Sequence, residues 1–517
     1  MQACRVRLVT KLKGDATVPS VLATHRKAIF VVTALGAFMA SLDLSIVNVA
    51  FPALERAFTH DTRASLSWVL TGYAIVFGSL LVVAGRTADR LGSRRIFFFG
   101  LGVFCVGSLL CAVAPSVPLL ILGRVVQGFG AAALLPASLS LLLASYSKEK
   151  RSQVVALWGG IGALAVATGP SLGAVLITAF SWRAAFYVNL PVGVIAWLVG
   201  RRVLVKTERS ASTSSPDFPG VVLLSGALAT LVLAISEGPS WGWSNARIIG
   251  AFVATVLLAG AFLFRSGHHE EPVLDLRLFR ARSFSVANAA ALLYAMGFFA
   301  MLLGNILFLT SVWHYSILDA GLAVTPGPLV VALVSGPAGK LAGRWGFRRV
   351  LMMGFGVFTL GLVWYVTRVG LTPEYLKIWL PGTLTVGLGI GLTFPVLSAA
   401  AVSSLEPARY AVGSAVNQTA RQVGGALGVA ILVVILGTPS SATEALGNFK
   451  HLWLYVASMA ALAGVICTGL SRAKIAHSEL SSVELDVEKA HGFEAMLDGE
   501  IVDEPFAFLK PRNEKTE

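Results

Sequence analysis

Again and again this chain runs for about twenty residues without a charge. The stretches 64–85, 125–147, 184–200, 218–236, 248–264, 320–339, 350–367, 422–443 and 451–471 hold no Asp, Glu, Lys or Arg. A helix that crosses a bilayer needs about 20 mostly apolar residues, and lipid offers its backbone no outside hydrogen-bond partner. No other property restricts the fold so strongly. In the longer run 96–123, the breaker Ala114-Pro115-Ser116-Val117-Pro118 ends one helix and starts another, which continues through Arg124 to about Tyr146. Residues 152–182, 283–318 and 378–405 each hold one helix. The first span covers about 28–50 and contains Asp43; the thirteenth covers about 411–437 and contains Arg421. The chain reads as an all-α integral membrane protein of fourteen spans. Apolar residues make up 56 % of its 517 and charged residues 13 %, against about 25 % charge in soluble domains. Soluble enzymes, disordered regulators and fibrous proteins are thereby excluded. Four Cys give no disulfide framework, and Cys105 and Cys111 sit in an apolar run as small hydrophobes. The first apolar run is a full-length span, so no cleaved signal peptide is read.

The formal charge of +14 would suit a nucleic acid or lipid surface if it were clustered. An even number of spans places both termini on one side. Segments on that side carry 32 Lys and Arg, the opposite loops carry 7, and Arg124 and Arg421 lie within spans. The positive-inside rule makes the rich side cytoplasmic. The basic charge is therefore a topology signal in a multi-pass protein of the cytoplasmic membrane, and no nucleic-acid partner is expected. The hydrophilic tail 473–517 is cytoplasmic in this reading, partly helical or disordered.

The chain also repeats itself. Gly85-Arg86-Thr87-Ala88-Asp89-Arg90-Leu91-Gly92-Ser93-Arg94-Arg95 follows the second span. Gly339-Lys340-Leu341-Ala342-Gly343-Arg344-Trp345-Gly346-Phe347-Arg348-Arg349 follows the tenth, at an offset of 254. Gly128 through Pro136 matches Gly387 through Pro395 at 259, and Arg151 matches Arg409 at 258. Ordered matches at nearly one offset argue for two homologous six-helix halves, with two helices inserted between them. The expected organisation is a cytoplasmic segment 1–27, a first bundle 28–205, a linker 206–282 holding the extra helices, a second bundle 283–472 and the tail 473–517.

A parallel repeat of six-helix bundles is the architecture of major facilitator transporters, whose substrate site lies between the halves near the midplane. The chain resembles that superfamily, in its fourteen-helix drug:proton antiporter family. The loop after the second span carries the resemblance. So do the run from Leu42 to Pro52, with Ser45 and Phe51 where Thr and Leu are commoner, and the run from Ser181 to Pro191. The resemblance implies two bundles plus two inserted helices, alternating access, no cofactor beyond a proton gradient, and proton-driven export of drugs or other small amphipathic compounds. The chain is expected to be monomeric, with lipid, protons and a small-molecule substrate as partners. No Gly-x-x-x-x-Gly-Lys-Ser/Thr phosphate loop occurs, which disfavours an ATP pump. A proton-coupled importer of the same fold and a transport-inactive sensor stay open. A membrane enzyme would need clustered acids or His at the membrane surface, and none stands out.

Among 27 carboxylates, charge counting leaves one inside a span, Asp43. A carboxylate at a helix centre costs about 2.5–3.5 kcal/mol on insertion scales, so such a residue has a partner or a job. Asp43 lies about 22 Å into the first span and about 8 Å from its far edge. Arg124 lies about 9 Å in from that same side. The two therefore share a depth and are expected to meet, directly or through water or Gln127. Proton coupling is assigned to Asp43 with Arg124, against a purely structural ion pair or, for Arg124, a headgroup anchor. Arg124 lies in a run resembling the family's fourth-helix motif, implicated in proton transfer. Arg421 has no second membrane acid to pair with, so structural and substrate roles stay open for it. Asn48, Gln127, Asn305, Asn417 and Arg421 are candidates for a substrate cavity.

The resemblance implies that Asp89 docks at the start of the thirteenth span and latches a gate. Gly85, Arg90, Gly92, Arg94 and Arg95 belong to the same gating loop, and a plain topology signal is the alternative. Gly169, Pro170 and Gly173 in the fifth span point to a kink and close packing. They sit in a stretch resembling the antiporter motif, with Ala165 and Ala174 where that motif has Gly. The many Phe and Trp are expected to be mostly lipid-facing or interfacial.

Overall fold

The structure, a computed structural model, describes residues 18–146, 151–204, 217–270, 272–405 and 410–470. These form α-helices with no strand among the described residues. The first six are α1 Val18–Ala57, α2 Arg63–Leu91, α3 Ser93–Val113, α4 Val117–Ser145, α5 Arg151–Ala179 and α6 Ala184–Val203. The inserted pair is α7 Phe218–Trp241 and α8 Ala246–His268. The last six are α9 Arg282–Ser311, α10 Ile317–Trp345, α11 Phe347–Arg368, α12 Tyr375–Val402, α13 Tyr410–Leu436 and α14 Ala442–Cys467. Thirteen are apolar and long enough to span a membrane, and α5, with 29 residues, makes the fourteenth. The expected all-α membrane architecture is found. The tail 473–517 and Arg409 lie outside the described residues.

The duplication seen in sequence recurs in packing. A Cβ at Gly130 of α4 would fall under 3.0 Å from the Phe104 backbone N of α3. One at Gly389 of α12 would fall equally close to the Phe358 N of α11. Gly107 and Gly361 repeat the device against Gln127 and Val386. Small residues let helix backbones approach closely where apolar side chains gain nothing over lipid. Both six-helix sets therefore contain one tight pair, α3–α4 and α11–α12, placed by the same glycines.

Two turns differ from expectation. The stretch 85–95 is not a loop. α2 continues through Leu91 and α3 starts at Ser93, so Gly92 alone joins them, with φ 96°. Gly346 does the same between α10 and α11, with φ 84°. A left-handed φ suits glycine, which has no Cβ to clash. Gly85, Asp89 and Arg90 thus lie in the last turns of α2, and Arg94 and Arg95 in the first turn of α3. We call the end of the molecule that holds these turns the basic face.

Charge counting also cut α7 too short. Glu237 lies inside that helix, 7 % exposed, and the helix ends only at Gly242, with φ 88°. Asp43 is therefore not the only acid within a spanning helix. Ser240 Oγ donates to Glu237 Oε2 at 2.8 Å, one turn away on the same helix, which is how a carboxylate is held there. The aromatic expectation also fails in part. Trp379, Trp453, Tyr365 and Phe308 are fully buried together in the second half.

Away from the basic face the two halves share one core. Ile46, Phe51 and Leu54 of α1, Ile177 of α5, Leu303 and Ile306 of α9, and Ala320 and Ala323 of α10 belong to a single buried cluster. Gly321 of α10 packs against Pro170 and Ala174 of α5. Along the other seam, Thr419 Oγ1 of α13 donates to Gly78 O of α2 at 2.7 Å. α7 covers this seam through Leu228 and Val232, which pack with Ala74, Ile75, Ala426 and Ala430.

Candidate functional site

The first half is organised around one polar cluster. Arg124 Nη1 of α4 donates to Asp43 Oδ2 of α1 at 2.5 Å and to Gln127 Oε1 at 2.6 Å. Gln127 Nε2 donates to Asp43 Oδ1 and to Ser108 Oγ of α3, both at 2.8 Å. Asn189 Nδ2 of α6 donates to the same Ser108 oxygen at 3.1 Å. Arg124 Nε donates to Val69 O of α2 at 2.8 Å, and its guanidinium lies 4.2 Å from the Tyr73 ring centroid. Asp43 and Gln127 are 0 % exposed and Arg124 is 1 %.

This arrangement follows from local sequence. Arg124 and Gln127 are three residues apart on α4, hence neighbours on one helix face. Gly107 and Gly123 bring α3 and α4 close enough for Ser108 to reach Gln127. Both oxygens of Asp43 are engaged and its charge is matched by an arginine. A buried charge is tolerable only with such pairing and further hydrogen bonds. Five of the six helices of this half, all but α5, contribute to the cluster. An arginine stays protonated at ordinary pH, so the guanidinium gives this cluster a fixed positive charge beside the Asp43 carboxylate.

The structure thus brings Asp43, Arg124 and Gln127 together. Gln127 is bonded within this cluster and is not among the residues that line the small cavity beside Asn48. Ser108, Asn189, Tyr73 and the Val69 carbonyl escaped the sequence reasoning. Ser108 and Asn189 carried a signal, as polar groups in apolar spans, but an uncharged residue draws no notice when charges serve as the ruler.

The other candidates are placed elsewhere. Asn48 Nδ2 bonds Leu44 O on its own helix, and Asn48 borders a small cavity between the halves. Asn417 Nδ2 of α13 donates to Asn288 Oδ1 of α9 at 3.2 Å. Asn305 Oδ1 accepts from Trp453 Nε1 at 3.0 Å inside the aromatic cluster. Arg421 bonds Ser398 Oγ at 2.5 Å and Gln418 Oε1, and faces the Phe394 ring at 4.9 Å. Neutral acceptors and a π face hold this cation in place of a carboxylate.

At the basic face, Arg86 Nη1 donates to Pro272 O at 2.9 Å and Arg94 Nη2 to Arg201 O at 3.2 Å. These bonds tie the end of α2 to the segment after α8, and the start of α3 to the end of α6. The Asp89 side chain and the residues before Tyr410 lie outside the described residues, and so does the expected docking between them. In α5, Gly169 and Gly173 receive Ser45 and Ile46 of α1. Pro170 has no N–H for the Val166 carbonyl one turn back. Ser45 Oγ donates to that carbonyl at 3.1 Å, and α5 continues through the proline to Ala179.

Comparison with known proteins gives one answer. The chain is 35 % identical over 429 residues to a protein of Mycobacterium tuberculosis named multidrug resistance protein B homolog, covering 82 % of this chain and 78 % of that protein. It is 32 % identical to the methylenomycin A resistance protein of Streptomyces coelicolor, covering 79 % and 85 %. It is 30 % identical to the tetracenomycin C resistance and export protein of Streptomyces glaucescens, covering 78 % and 75 %. A crystal structure of an auto-inhibited POT family peptide transporter matches 86 % of this chain and 96 % of that one, with a TM-score of 0.62 at 16 % identity; that likeness concerns the fold alone. Residues 33–429 match the Major Facilitator Superfamily. The chain belongs to the Major Facilitator Superfamily and is a multi-pass membrane transporter, not an enzyme.

Proposed function

We propose that the protein exports small amphipathic compounds in exchange for protons, and that Asp43 is the group that carries the proton. The buried Asp43–Arg124–Gln127 cluster is the observation that supports this most. Protonation would remove the carboxylate charge and weaken its bond to Arg124. The guanidinium would keep its bonds to Val69 O and Gln127. Because five helices meet at this point, one proton could bias how the first half packs, and so bias the rocking of the halves. Small molecules enter between the halves, where Asn48, Asn417 and Arg421 are candidate contacts. The names of the relatives favour antibiotics and other drugs as cargo. The Lys and Arg bias supports an orientation with the basic face and both termini in the cytoplasm. There Gly85, Asp89, Arg90, Gly92, Arg94 and Arg95 form the gating element, and Gly169, Pro170 and Gly173 set the packing of α5 on α1. The bundles span 28–205 and 283–472 with the inserted pair in 206–282, the unit is a monomer, and the proton gradient replaces any cofactor.

Purified protein in liposomes under an imposed pH gradient tests this, with ethidium, methylenomycin A and tetracenomycin C as probes. Wild type should move at least one probe against its concentration gradient, and Asp43→Asn should not. Gradient-driven flux that survives Asp43→Asn would refute the assignment. Flux of the probe with the proton rather than against it would favour import.

A further inference from the structure

Gln422 of α13 faces the first half with its hydrogen-bonding capacity unused. It is 1 % exposed, and its amide oxygen is buried with no hydrogen-bond partner among the described residues. An unsatisfied buried acceptor costs about 1–3 kcal/mol, so a group in this position calls for a ligand. Its Cβ packs against Gly78 of α2, where a side chain would collide with it, so the residue is held at the seam.

Gln422 borders a cavity of about 20 Å³, room for about one water. Arg124 lines the same cavity, with Asn48 and Thr71 from the first half. The Nε and Nη1 of Arg124 are engaged with Val69, Asp43 and Gln127, and Nη2 forms no hydrogen bond to the described residues. Thr71 Oγ1 spends its proton on Ser67 O and can still accept. The arginine of the ion pair and a glutamine of the opposite half therefore line the same small space.

We propose that one water occupies this cavity, accepting from Arg124 Nη2 and donating to Gln422 Oε1. Gln422 is then the positioning residue through which the second half senses the charge state of Asp43. When Asp43 is ionised, Arg124 is pinned and the water bridge ties α4 to α13. When Asp43 is protonated, Arg124 loses its charged anchor, pivots on its remaining bonds to Val69 O and Gln127, and the bridge is lost. This rests on Asp43 being the proton-carrying group.

A substrate-independent measurement tests it. Spin labels on Leu91→Cys and Lys340→Cys, at the basic ends of α2 and α10, report the separation of the halves once the native cysteines are replaced by alanine. Titrating pH in lipid nanodiscs should shift the distance distribution of wild type, and Asp43→Asn should abolish the shift. Gln422→Met, which keeps length but removes the acceptor, should abolish it too. Ala74→Val fills the cavity from α2 and leaves every polar group in place, and it should have the same effect; it decides the matter if Gln422→Met does not fold. A wild-type pH response in either variant overturns the water bridge while leaving the Asp43 assignment intact. No pH response in wild type overturns both.

Discussion

The two halves solve the same packing problem and then diverge in chemistry. In α3–α4, Gly100, Gly107 and Gly130 bring the helices together; in α11–α12 the matching Gly354, Gly361 and Gly389 do so. At the repeat offset of 259, Arg124 corresponds to Thr383 and Gln127 to Val386. Around Thr383 there is no ion pair among the described residues. Its hydroxyl lies 2.7 Å from Tyr365 Oη, and Tyr365 stacks on Trp379 with centroids 4.8 Å apart. α9, the counterpart of α1, carries no acid at all. One half is therefore built round a buried ion pair, and the other round a buried aromatic cluster. Glycine contacts thus recur in both halves, while the buried carboxylate–arginine cluster, where we propose proton coupling, sits in one.

The sharpest way to break this comparison is to remove the cation. Arg124→Met leaves Asp43 buried without its partner, which costs about 3–5 kcal/mol when a buried pair is broken. A marked drop in thermal stability and loss of gradient-driven transport should follow. Adding Asp43→Asn should recover part of the stability and none of the transport. Thr383→Val at the matching site should cost about 1 kcal/mol, a single hydrogen bond, with proton coupling unchanged. Equal effects of the two changes on coupling would erase the distinction.

The shared scaffold predicts symmetry instead. Gly130→Ala and Gly389→Ala each push a Cβ into a neighbouring backbone N, and overpacking of this kind costs about 1–3 kcal/mol. Thermal melts should show losses of similar size. A smaller pair of effects is expected at the turns. Gly92→Ala and Gly346→Ala force a side chain into a left-handed φ, at about 1–2 kcal/mol each.

The smallest effect serves as a pH control. Asp217 caps α7 through Gly220 N at 2.9 Å and pairs with Arg265 at 2.5 Å. Burial alone would raise its carboxyl, but the bonds from Arg265 and Gly220 and the Arg265 charge outweigh that and hold it below the usual range. A lowered folded-state value stabilises the protein above the unfolded value of about 3.9, and the contribution fades as pH falls through the folded value. Asp217→Asn keeps a capping side chain but loses the charge that pairs with Arg265, so it should cost about 0.5 kcal/mol at neutral pH, as a partly exposed ion pair does, and almost nothing in strong acid. Its titration lies too low to mimic a coupling site that works near neutrality.

Much of this was legible in the chain. Span number, duplication and the meeting of Asp43 with Arg124 follow from charge spacing and depth, because lipid punishes unpaired charge. The ends of helices were less so. Glu237 looked like a boundary because charges marked the edges, yet a helix ends where its backbone turns, at Gly242. Residues 85–95 looked like a loop because they are hydrophilic, yet α2 continues to Leu91 beyond its apolar part. Ser108, Asn189 and Gln422 carry no charge, and their importance lies in which neighbours they face, which spacing along one helix does not reveal.

The central claim is that Asp43 alone, within this cluster, takes up and releases the proton. Difference infrared spectroscopy of the purified transporter across pH tests it directly. A protonated-carboxyl band should rise on acidification over the range in which gradient-driven flux operates, be absent in Asp43→Asn, and shift in Arg124→Met. A band that persists unchanged in Asp43→Asn would contradict it.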